Sequence, residues 1–65
     1  MNRNLLEYEI KSNNLTVKEF YKELGISSSA YYRKVSGRSE FTQSEILKTM
    51  EILKLKSPTP IFFAK

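Results

Sequence analysis

The sequence predicts an all-α domain of four to five short helices, and three observations lead there. Thr16-Val17-Lys18-Glu19 and Thr42-Gln43-Ser44-Glu45 are capping boxes, each a threonine followed three residues later by a glutamate at the head of an apolar run. Gly25 and Gly37 stand where short helices would stop and the chain would need a left-handed residue. No segment alternates apolar and polar residues for long enough to demand a strand.

The elements follow in order. Asn4, with Glu7 three residues on, predicts a helix over about 5–13 that ends at Asn13-Asn14, with Leu6 and Ile10 on one face. Thr16 caps a second helix over about 17–24, with Leu15 and Phe20 at the staple positions. Val17, Phe20, Tyr21 and Leu24 share its apolar side. Ser27 caps a third helix over about 28–36, with Ile26 stapled to Tyr31, and Tyr31 and Val35 form its core face. Tyr32, next to Tyr31, must then point elsewhere. Thr42 opens a fourth helix over about 43–55, with Phe41 and Ile46 as its staple. Ile46, Leu47, Met50 and Leu53 make its apolar stripe. Thr59 precedes a proline and is expected in extended geometry, so 57–65 reads as a Pro-containing apolar tail. Its Ile61-Phe62-Phe63 should cover either the domain's own core or a partner subunit.

Composition narrows the function. Sixty-five residues make one domain, 1–65. A chain this short buries only about 60% of the surface it exposes when unfolded, which leaves no room for a separate catalytic cleft. With no cysteine and no histidine, disulfides, thiolate chemistry, zinc sites and most nucleophile–base pairs are out. An enzyme is not expected, nor is a cofactor or a metal. Glu40 and Glu45 could be read as paired carboxylates, but capping accounts for Glu45. No apolar run approaches the roughly 18 residues of a membrane span, and no signal-type segment follows Met1. Lys18, Lys22, Arg33, Lys34 and Arg38, against Glu19 and Glu23, place a net +3 of the chain's +4 between Thr16 and Ser39. An anionic partner should therefore meet the middle of the chain.

Two short helices joined by a turn at Gly25-Ile26-Ser27 are the elements of a helix-turn-helix, in which one helix lies across the DNA backbone and the other enters the major groove. The segment Leu15 to Gly37, LTVKEFYKELGISSSAYYRKVSG, resembles the helix-turn-helix of phage Cro and CI-type repressors, the Xre-like or lambda-repressor-like family. GISSSAYYRKVSG followed by RSEFTQSEI, and the closing IFFAK, are similar to small regulators of Gram-positive temperate phages. The chain departs from that pattern twice. Tyr21 stands where the family has alanine at the helix crossing, and its ring is expected to point past the partner helix. Ser28-Ser29-Ala30 opens the recognition helix in place of Gln, Asn or Arg.

The resemblance implies roles for matching positions. Ser28, Ser29, Tyr32 and Arg33 would face the DNA or a partner, with Arg33 the best base reader because a guanidinium can grip a guanine edge with two bonds. Thr16, Lys18, Arg38, Ser39 and Thr42 would position phosphate. The bland readings are a solvated face for Arg33 and Lys34, and intrahelical pairing of Lys18 and Lys22 with Glu19 and Glu23.

Two functions are open. One is a Cro-like regulator in the cytoplasm of a bacterial host cell, binding double-stranded operator DNA in a lysis/lysogeny switch, with a homodimer as the expected form. The other is a modulator that grips a CI-type repressor by protein–protein contact, for which a tyrosine, an arginine and small polar residues are a suitable surface.

Overall fold

Four helices begin on an oxygen-bearing side chain that accepts a backbone N–H of the first turn, which is why the chain breaks into elements where it does. In the computed structural model, which describes residues 1–63, these are α1 Arg3–Ser12, α2 Val17–Leu24, α3 Ser28–Val35 and α4 Gln43–Leu53. Their caps are Asn2, Thr16, Ser27 and Thr42. Both capping boxes are complete: Thr16 and Thr42 each accept from the glutamate amide, and each glutamate carboxylate accepts from its threonine amide. A single-turn helix, α5 Thr59–Phe62, follows. The fold is all-α, with no strand among the described residues, and it measures 25 × 25 × 21 Å. No described helix is long and apolar enough to cross a membrane.

One core joins all five helices. Leu6 and Ile10 of α1, Phe20 and Leu24 of α2, Tyr31 and Val35 of α3, Leu53 of α4 and Ile61 of α5 are buried together. Each fully buried side chain of this size contributes about 1.5–3 kcal/mol. The predicted faces of the first three helices are the faces that turn inward.

The structure differs from the sequence reading at four places. The first helix starts two residues early, capped by Asn2 rather than Asn4: Asn2 Oδ1 accepts from the Leu5 amide at 3.0 Å. The reason is tertiary, since the Asn2 amide donates to the Ile61 carbonyl at 2.6 Å and holds the entry to α1 in extended geometry. Glu7, freed from capping, pairs with Arg3 at 3.1 Å.

The second difference lies in α4, which is rotated from its predicted stripe. Thr49 and Leu53 are its buried residues, Ile46 and Met50 sit at the margin, and Leu47 is 54% exposed. Thr49 tolerates burial because its hydroxyl donates to the Glu45 carbonyl at 2.8 Å. The helix also ends at Leu53, on Lys54 in left-handed geometry (φ +55°), where no glycine announces the stop.

Third, Thr59 is helical rather than extended. Pro60 sits in the first turn of α5, where backbone amides have no intrahelical acceptor and a missing N–H costs nothing. Of the predicted apolar tail, Ile61 is buried, Phe62 is half-buried edge-on to Phe41 at 5.2 Å, and Phe63 is exposed. The last two tail positions, 64 and 65, lie outside the described residues.

Fourth, Tyr21 does not point past α3. Its ring packs on Tyr31, with centroids 5.8 Å apart and planes at 37°. The larger residue at the crossing is accommodated by aromatic stacking.

Candidate functional site

The turn between α2 and α3 is held by the backbone. Gly25 has φ +86°, and its amide reaches the carbonyls of Tyr21 and Lys22. The Ile26 amide also reaches the Tyr21 carbonyl, at 3.1 Å. A Cβ on Gly25 would meet no atom within 4 Å, so glycine is there for its backbone angle alone. Ile26 packs against the core, and Ser27 Oγ accepts from the Ala30 amide at 3.2 Å to start α3.

Tyr31 orients α3. Its ring is fully buried against Phe20 (6.2 Å, edge-on), Tyr21 and Tyr32 (5.1 Å, edge-on), and its hydroxyl donates to Glu7 Oε2 at 3.3 Å. Burial first, then the charge of Glu7, raises the Tyr31 pKa well above its usual value, so the hydroxyl stays protonated and keeps donating. With Tyr31 and Val35 turned inward, helical geometry turns Ser28, Ser29, Tyr32 and Arg33 outward, and all four are exposed. Ser28 and Tyr32 are four apart, as are Ser29 and Arg33, so the four residues form two adjacent rows.

Neighbouring cations have different fates. Lys34 Nζ lies 3.0 Å from Glu45 Oε1, donates to the Glu40 carbonyl at 3.1 Å and sits 5.7 Å from the Phe41 ring centroid. It is a brace between α3 and the start of α4. Arg33 makes no side-chain hydrogen bond or ion pair among the described residues, and neither do Lys18, Lys22 or Arg38. The two ion pairs among the described residues are Arg3–Glu7 and Lys34–Glu45, so the pairing of Lys18 and Lys22 with Glu19 and Glu23 is not formed.

The loop after α3 grows out of Arg33 itself. The amides of Arg38 and Ser39 donate to the Arg33 carbonyl at 2.9 and 3.1 Å. Arg38 is exposed and Ser39 half-buried. Through that carbonyl and the Lys34 brace, Arg38, Ser39 and Thr42 are brought to the C-terminal end of α3. Thr16 and Lys18 are not joined to that group. They lie at the opposite end of α2 from Gly25, and Thr16 lines a groove with Asn4, Glu7, Tyr8 and Lys11 of α1.

The two threonine starts also carry carboxylates. Hydrogen bonds from the Thr16 backbone and hydroxyl hold the Glu19 pKa below its ordinary 4.5. Burial works to raise that of Glu45, but bonds from the Thr42 backbone and Lys34, together with the lysine's charge, outweigh it and the net shift is downward. At both helix starts the threonine amide is therefore committed to a glutamate. What remains to meet a phosphate is the free amides of the next residues.

One exposed cation beside the outward face of α3 was not anticipated from the sequence. Arg3, through its pair with Glu7, carries its guanidinium to 5.8 Å from the Tyr32 ring centroid. The i,i+4 spacing of Arg3 and Glu7 was the available signal. No protein-family model matches the chain, and neither does a curated protein or a solved structure.

Proposed function

We propose that the protein is a Cro-like transcriptional regulator that binds double-stranded operator DNA through the α2–turn–α3 unit, in a temperate-phage lysis/lysogeny switch within a bacterial host cell. The observation that carries this reading is Arg33. It stands on the outward face of α3 beside Ser29, with no hydrogen-bond or ion-pair partner for its side chain among the described residues, while the adjacent Lys34 is held by Glu45. An exposed, unpaired arginine at the sixth position of a helix held by a Gly25 turn suits readout of a guanine edge in the major groove. Arg38, Ser39 and Thr42 flank the C-terminal end of that helix, where they suit phosphate, and Thr16 and Lys18 suit it on the other side.

Operator binding by such a unit uses two half-sites about one helical turn (~34 Å) apart, read by a symmetric dimer. The surface left for a second copy combines the helix and the tail: Leu47 and Met50 of α4 line one apolar groove with Pro58 and Phe63.

The test is a gel shift on phage control-region DNA with scrambled DNA as the comparison. Arg33→Ala should cost about 1–3 kcal/mol on the preferred site and little on scrambled DNA. Lys18→Ala should weaken both alike and lower the salt slope by about one. Equal binding of the native chain to both duplexes removes the sequence-reading role.

A second reading rests on Tyr32 and the serines. Tyr32 is 49% exposed between small hydroxyl side chains that discriminate bases weakly. That surface also suits a modulator that covers the DNA-reading helix of a CI-type repressor. Co-purification with the repressor in the absence of DNA, with no shift by the protein alone, would favour it.

A further inference from the structure

Arg3 lies outside the two helices of the proposed reading unit, yet four observations place it at their edge. Its guanidinium faces Tyr32, 5.8 Å from the ring centroid. Its Nε alone is engaged, donating to Glu7 Oε2 at 3.1 Å, which leaves both terminal nitrogens and their four N–H donors free. The same Glu7 oxygen accepts from the buried Tyr31, so the carboxylate that orients Arg3 is itself anchored to the core side of α3. Glu7 also lines the groove that Thr16 shares, so the first half of α1 adjoins both the start of α2 and the outward face of α3. The side chain of Arg3 is about half exposed.

We propose that Arg3 is a DNA-contacting residue that holds a backbone phosphate beside Tyr32, with the tyrosine ring and Glu7 fixing the guanidinium in place. The inference rests on the DNA reading above and extends the contact surface onto α1. A planar guanidinium that lies over an aromatic ring at 5.8 Å and is tethered by one nitrogen is partly preorganised, so less side-chain freedom is lost when the free fork meets a phosphate. The contact lies alongside α3, next to Tyr32. It is a positioning contact for the duplex and carries no sequence information of its own.

The test uses the full chain and a mixed-sequence duplex of about 30 base pairs, the length of roughly three helical turns. Affinity is followed by fluorescence anisotropy over a potassium chloride series. Arg3→Gln, which keeps a long polar stem and loses the charge, should weaken binding about tenfold, as expected for one charge-assisted contact. It should also lower the slope of log affinity against log salt by about 0.9, one phosphate's worth. Arg3→Lys should keep the slope and lose part of the affinity, because the charge remains and the planar fork does not. Lys56→Gln, beyond the end of α4, serves as the comparison for a loss of net charge away from the surface. Circular dichroism of each variant separates binding from folding. A native chain that binds while Arg3→Gln matches Lys56→Gln in slope overturns this inference alone. A native chain that binds no duplex at low salt overturns the DNA reading and this inference with it.

Discussion

Single residues matter in this chain for different physical reasons. Gly25 is required by its backbone angle. With φ at +86° and open space around the missing Cβ, Gly25→Ala should destabilise the fold by about 1–2 kcal/mol through left-handed strain alone. Gly25→Asn should recover part of that loss, since asparagine visits this region more readily. Urea denaturation of the two variants checks the ordering; equal stability of alanine and glycine there would remove the conformational argument. Tyr31 and Tyr32 are neighbours of the same type with opposite fates, because adjacent positions on a helix point about 100° apart. The core takes the first and leaves the second beside Arg3. Arg33 and Lys34 divide in the same way, the lysine on the side facing Glu45 and the arginine facing out.

At the scale of elements, the chain is punctuated by caps, and two of them carry charge. Glu45 sits at the start of α4 with its pKa lowered by bonds from Thr42 and Lys34 that outweigh its burial. A carboxylate whose folded pKa lies below its unfolded value stabilises the fold fully above that unfolded value. The contribution is lost as pH falls from about 4.5 through the lowered folded pKa. Glu45→Gln should therefore be less stable than the native chain at neutral pH, with the difference shrinking in acid below that point. Thermal melts of both proteins between pH 7 and pH 3 check the sign. A constant difference across the range would mean that ionisation of Glu45 contributes nothing. The alkaline side belongs to Tyr31, whose raised pKa means that the unfolded chain ionises first, so its contribution falls away as pH rises past about 10.

The whole molecule is closed by its last element. Ile61 is buried among residues of the other four helices, and its carbonyl accepts the Asn2 amide, so α5 ties the two ends of the described chain together. Ile61→Ala should cost about 2–5 kcal/mol, the range for truncating a buried isoleucine. The loss should reach the whole cooperative unit, because Leu6 and Tyr31 share the same core. Chemical denaturation checks this: a loss under 1 kcal/mol would make the end of the chain an appendage instead of a wall of the core. The closure also leaves Leu47 and Phe63, more than half exposed, on one surface, which is the place where a second copy suits the proposed dimer.

The sequence by itself determined the first four helices and most of the outward face of α3, though not the single turn of α5. Caps, boxes and glycine stops act within four residues of one another, so Thr16, Ser27, Thr42, Gly25 and Gly37 can be read without knowing the fold. The inward turn of Tyr31 and Val35, and with it the exposure of Ser28, Ser29, Tyr32 and Arg33, follows from the helical period. What only the tertiary structure decided depends on partners far apart in the chain. Asn2 became a cap because Ile61 holds its amide. Thr49 displaced Leu47 from the core because of the way α4 packs on α2, and apolar residues stood on too many sides of that helix for periodicity to choose. Arg3 came to the edge of the outward face of α3 because Glu7 and Tyr32, separated by 25 positions in sequence, meet around Tyr31. Local rules place a residue on a face of its own helix, but which other helix that face meets is set by packing the whole core at once.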